Sequence, residues 1–169
     1  MAKIDEARWA EVQAKGLSEG SHNDFQSGIC AMEAAAYIAG EPFSDHPKCA
    51  CPVISAFMRS WNDALSNDER AIILPLIPLT VGTVGSDALA ERRAMMAVDW
   101  YIREHSPAFL RLAGLTKQAD ALASFPELTA QSQMPSIAAP LKAIRDDASA
   151  ARSAARSAAE SAARSAARS

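Results

Sequence analysis

Aromatic residues are scarce in this chain of 169 residues, with three tryptophans, two tyrosines and five phenylalanines. β-Sandwiches draw on aromatic and β-branched side chains, so this scarcity, beside abundant alanine, points to close-packed helices. No stretch alternates with period two for long enough to form a strand. Long apolar runs are also lacking, which excludes a membrane span. The opening MAKIDEARWAEVQ has no apolar segment of the secretory type. No sign of charge dominates. A formal net charge of −3 leaves no basic field to hold nucleic acid. The cysteine count of three is odd, which fits a reducing cytoplasm better than a secreted disulfide framework. Catalytic signatures are missing too: there is no HExxH, GxSxG, paired-cysteine motif or dinucleotide fingerprint.

What is present reads as helices with their punctuation. KIDEARWAEVQAKG is a short helix with Asp5 and Glu6 at its positive end and Gly16 as its stop. A second helix starts near Ile29 and closes at Gly40. A third begins at Pro52, the one helical position where proline loses no bond. Its apolar set Val53, Ile54, Phe57, Met58 and Trp61 falls on one face. Ser66 and Glu69 have capping-box spacing, and Pro75 and Pro78 break or kink the helix that follows. DALAERRAMMAVDWYIREH is the strongest helical pattern, capped by Ser86, ended at Ser106 and Pro107, and apolar enough to be central. Short helices are expected in PAFLRLAG and TKQADALAS.

The composition changes near Gln131. Residues 131–140 read as a linker, and residues 141–169 as one helix built on a Ser-Ala-Ala-Arg repeat. A period of four overshoots 3.6, so each repeat advances by roughly 40° and the arginines wind around the helix. The expected organisation is all-α: a helical bundle over residues 1–130, the linker, and the alanine/arginine arm. The arm is either a solvated helix or a self-association element. Its small faces favour a homo-oligomer, and no interleaved aromatic suggests nucleic acid.

Four stretches and two lone histidines could carry chemistry. In DHPKCAC, His46, Cys49 and Cys51 could supply zinc ligands with His22 or Cys30 as a fourth, but the spacing lacks a second cysteine pair. The expectation is a proline-pinned loop with no metal and no cofactor. Cys51 falls at a helix N-cap, where the dipole lowers a thiol pKa, which leaves a nucleophilic role as an alternative. Glu33 is the one charge between Phe25 and Gly40, so it needs a partner, and an arginine of the long helix is expected to supply it. On that long helix Arg92, Asp99 and Arg103 share a stripe, because spacings of seven and four nearly return to one face. Just before it, VGTVGS sets Thr83 and Ser86 at a helix start suited to an anion. His22 and His105 are candidate bases.

The run GSHNDFQSGICAMEAAAYIAGEPFSDHPKCACPVISAFMRSWND, then VGTVGS, then ERRAMMAVDWYIREHSPAFLRLAG, resembles a family of small helical proteins of actinobacteria and phages. The resemblance covers about residues 17–115. It implies a compact helical domain and a phage or mobile-element setting, hence a host cytoplasm, and brings no activity with it. The residues favour a non-enzymatic binding protein for a small polar, anionic or nucleotide-like ligand. In a phage setting such a protein could sequester a host signal molecule in counter-defence. The expected site joins His22 and Glu33 to Thr83, Ser86, Arg92, Arg93, Asp99 and Arg103, arginine forks suiting phosphate and carboxylates suiting hydroxyls. The alternatives are a scaffold whose polar stripe is structural, and a small enzyme using Glu33 or a histidine.

Overall fold

Short caps and turns decide where each helix begins and ends. A computed structural model describes residues 4–166, all of whose regular elements are helical. The chain divides into two compact units, Met1–Arg93 and Ala94–Ser169. The division falls inside the stretch read as a single bundle.

In the first unit, α1 (Glu6–Lys15) is capped by Asp5, whose carboxylate accepts from the N–H groups of Ala7 and Arg8, and is stopped by Gly16 at φ 75°. Helix α2 (Ala31–Ile38) is the centre of this unit: seven of its eight residues are buried, and α1, α3 (Pro52–Ala64) and α4 (Ile77–Thr80) all pack on it. Its alanines let neighbours approach from every side, which the bulkier α5 (Asp87–Trp100) does not allow. The expectation of a central α5 is therefore corrected. Met95 is its one fully buried side chain, and Met96 and Trp100 are more than half exposed.

Helix α3 starts at Pro52 as its sequence requires. Its buried face is Ser55, Met58 and Asn62, while Phe57 stands outside against Trp61. The polar Asn62 is buried because its amide serves three backbones or side chains: it accepts from the Ala31 N–H and donates to Ser18 O and Asp63 Oδ1. The C-terminal carbonyls of α3, which no helical N–H reaches, are met by the buried Arg70. Its Nε donates to Asn62 O at 2.9 Å, its Nη2 to Leu65 O at 2.7 Å and its Nη1 to Asn67 Oδ1. Glu69 reaches back to the Ser66 N–H and hydroxyl, and a 3₁₀ segment with Pro75 inside it follows over Arg70–Leu76.

In the second unit the helical run does not end at Pro107. A π-helical turn spans Tyr101–His105 and leads straight into α6 (Ser106–Leu112), with the Ser106 N–H bonded to Tyr101 O five residues back. Proline at 107 has no N–H to offer the carbonyl four residues earlier, and the wider turn absorbs the mismatch. Helix α7 (Thr116–Ala123) folds back on α6 after Gly114, at φ 77°. Helix α8 (Met134–Ala166) starts inside the stretch read as a linker and carries Pro140 within it. Ile137 is buried with Met95, Ile102, Leu122 and Leu128, and Met134, Leu141 and Ile144 pack around them. The start of the arm is thus part of the second core. The repeat beyond it is helical as expected through Ala166, and residues 167–169 lie outside those described.

Candidate functional site

The loop before α2 folds over that helix's N-terminus and is fixed there by a buried carboxylate. Glu33 is 1 % exposed and is the N3 residue of α2. It accepts from the His22 N–H at 2.6 Å, from His22 Nδ1 at 2.8 Å and from the Cys30 N–H at 2.7 Å. An ionised carboxylate can only accept, so Nδ1 is the donor in this contact. The imidazole rests against Gly28, where a Cβ would sit 2.2 Å from Nε2. The partner of Glu33 is therefore this histidine and two backbone amides, and the expected arginine is corrected: the loop reaches the carboxylate first. Burial, with the Glu33 charge adding to it, pushes the Cys30 thiol up to about 12, so that sulfur is not a nucleophile at neutral pH.

Beside this pair opens a polar cleft of about 440 Å³. One face of α3 lines it with Ala56, Arg59, Ser60 and Asp63, at spacings of three, four and seven. Gly20, Ser21, Cys30 and Asp45 complete the wall. Asp63 Oδ1 accepts from the Gly20 N–H at 2.9 Å, which ties the loop to α3. That bond and the Asn62 amide outweigh burial and hold the Asp63 carboxyl below its ordinary value. Arg59 Nη1 donates to Asp45 O at 2.9 Å, and its Nε lies 3.9 Å from the Asp45 carboxylate. The guanidinium is thereby aimed across the cleft with one edge still uncommitted.

The other expected residues lie elsewhere. Thr83 accepts from the Cys51 N–H and donates to Thr80 O, while Arg93 Nη1 donates to Thr83 O. The Gly82 and Val84 N–H groups both reach Cys49 O, so VGTV is stitched to the cysteine loop. This group sits at the start of α3, whereas the segment that carries His22 and Glu33 meets α3 through the bonds of Asn62 to Ser18 and Ala31, eleven residues on from Cys51, roughly 16 Å along the helix. Ser86 caps α5 through the Leu89 N–H, and Arg92 is exposed. In the second unit Asp99 and Arg103 form a two-pronged pair at 2.6 and 2.7 Å, and Asp99 also accepts from the Leu128 N–H. The eight residues thus form separate groups, and none of them lines the cleft, although Glu33 holds its wall residue Cys30 and His22 follows Ser21 in the chain.

Cys51 is the N-cap of α3, as its place before Pro52 implied. Burial raises its thiol, but the Ile54 and Val53 N–H groups and Arg93 outweigh that and hold it below the ordinary value. Burial, helped by Glu41, pushes Cys49 up. His46 is exposed and bonds Asp45 at 2.7 Å. Among the described residues no three histidine, cysteine or carboxylate side chains gather as metal ligands, and no helix is long and apolar enough to cross a membrane. The cleft residues Arg59, Ser60 and Asp63 were open to sequence reading as the polar stripe opposite the apolar face of α3. Asp45 and Ser21 carry no such signal, since loops bring them in. Comparison with known proteins finds no matching family model, no similar curated protein and no similar solved structure.

Proposed function

We propose that the protein is a non-enzymatic binder of a small nucleotide-like molecule, held in the cleft along α3. The observation that carries this reading is the arrangement of Arg59 between Asp45 and Asp63, with the Ser21 and Ser60 hydroxyls in the same wall. Arginine suits a phosphate, and flanking carboxylates suit ribose hydroxyls or a base amino group. The volume falls within the range of small-molecule sites. The site is placed differently from the sequence expectation, which used Arg92, Arg93 and Arg103, but its chemistry is the same.

A panel of linear and cyclic nucleotides, read by melting temperature, tests the proposal. A ligand at a hundred times its dissociation constant adds about 2.7 kcal/mol of stability. Arg59→Gln removes the shift. Ser60→Tyr fills the cleft from an exposed position and removes it too, without touching the Arg59–Asp45 contact. A panel that shifts nothing, or a shift that survives both substitutions, refutes the reading. A second reading, catalysis, is favoured by the part-buried His22–Glu33 pair, which adjoins the cleft residues Ser21 and Cys30. The same experiment separates the two: a binder returns its nucleotide unchanged on denaturation, and an enzyme returns product.

A further inference from the structure

The second unit holds a groove of a different character. Its volume is about 640 Å³, and its walls come from the π-helical turn, α6, α7 and the part of α8 between Leu141 and Ala148. Leu110, Leu122, Leu141 and Ile144 make an aliphatic floor. Tyr101 and Phe109 stand at its edge, each more than half exposed. The His105 ring is fixed between them, 5.3 Å from the Tyr101 ring and 4.8 Å from the Phe109 ring. These rings gather here because Tyr101, His105 and Phe109 follow one another at spacings of four along the continuous run of the π-turn and α6, which keeps them on one side.

The charge of the groove is one-sided. Arg145 lines it and no carboxylate does. The acid nearest Arg145 is Asp146, at 3.5 Å, and Lys142 already holds that carboxylate at 2.5 Å. An apolar body flanked by aromatic faces, with one arginine at the mouth, matches a flat apolar molecule bearing a single negative charge. We infer that this groove binds an aromatic carboxylate, with its ring on the aliphatic floor beside Tyr101 and Phe109 and its carboxylate paired to Arg145. The groove is independent of the cleft along α3, so the two proposals stand or fall separately.

The probes are 2-naphthoate and its neutral isostere 2-naphthamide, titrated into the full chain by calorimetry. Naphthoate is expected to bind more tightly than the amide. Arg145→Gln, at an exposed position, should weaken naphthoate about ten-fold, the worth of one charge-assisted hydrogen bond, and leave the amide unchanged. Phe109→Ser, also exposed, should weaken both. On binding, the methyl resonances of Leu122 and Ile144 should shift. Equal affinity for the two probes, or naphthoate affinity unchanged by Arg145→Gln, overturns the inference. So does a protein that binds neither probe but changes its subunit count on Phe109→Ser, because the groove is then covered by a second copy.

Discussion

Replacing Gly28 by alanine should unlock the loop that carries His22. A Cβ there would lie 2.1 Å from His22 Cδ2, 2.2 Å from Nε2 and 2.9 Å from Cγ. Real Cβ contacts are not that short, so the ring must leave. The His22 side chain then gives up its 2.8 Å bond to Glu33 Oε2, and the backbone N–H at 2.6 Å moves with it. Glu33, 1 % exposed, keeps only the Cys30 N–H. Each hydrogen bond lost to a charged group is worth about 1.5–3 kcal/mol. Gly28 also sits at φ 155°, a conformation that costs a residue with a Cβ about 1–3 kcal/mol. The expected loss is at least about 4 kcal/mol, a large part of the 5–15 kcal/mol typical of a domain. Urea unfolding followed by circular dichroism measures it. His22→Ala removes the ring that the new Cβ strikes, so the double variant should cost clearly less than the sum of the singles. A Gly28→Ala protein within about 0.5 kcal/mol of the parent, or strict additivity of the pair, would refute the reasoning.

Two further outcomes follow from the second unit. Arg103, and after it the Leu128 N–H, holds the Asp99 carboxyl below its ordinary value, so its folded-state pKa lies below the unfolded one. Its stabilisation is complete above about pH 4 and drains away as the pH falls through the folded value, so Asp99→Asn should flatten the acid limb of a melting-temperature profile between pH 5 and 2. A chain ending at Ala150 keeps Ile137, Leu141 and Ile144 and should melt as the full chain does, whereas one ending at Gln131 loses them, at about 1.5–3 kcal/mol for each side chain fully buried, and should lose the cooperative melting of the second unit. Scanning calorimetry of the two chains decides whether this part of α8 belongs to the core.

Local punctuation was legible because its physics is local. Gly16 at φ 75°, Pro52 at the first position of α3, Cys51 as its N-cap and Ser86 before α5 all follow from what a neighbouring backbone N–H or carbonyl needs. Choosing the central helix depended on something less local. Apolar bulk made α5 look buried, but α2, with alanine at four of its eight positions, is the element that others can approach closely. The π-turn was hidden for a related reason. Pro107 announces an end to regular hydrogen bonding, yet a helix can answer by stopping or by widening, and the local sequence allows both.

The candidate site shows the same limit more sharply. Glu33 stood out as a lone charge on an apolar helix, and the need for a partner was correctly read from the cost of burying it. Its identity was a matter of distance along the chain. His22 lies eleven residues before it, on a loop whose path is set by Gly20 bonding Asp63, Ser18 bonding Asn62 and the ring resting on Gly28. None of those contacts has a periodicity. A polar group on a helix can be assigned a face from its spacing, whereas a polar group on a loop is positioned by bonds to residues far off in sequence. That is why Arg59, Ser60 and Asp63 could have been placed in one wall from the sequence of α3, and why Asp45 and Ser21 could be joined to them only once the fold was known.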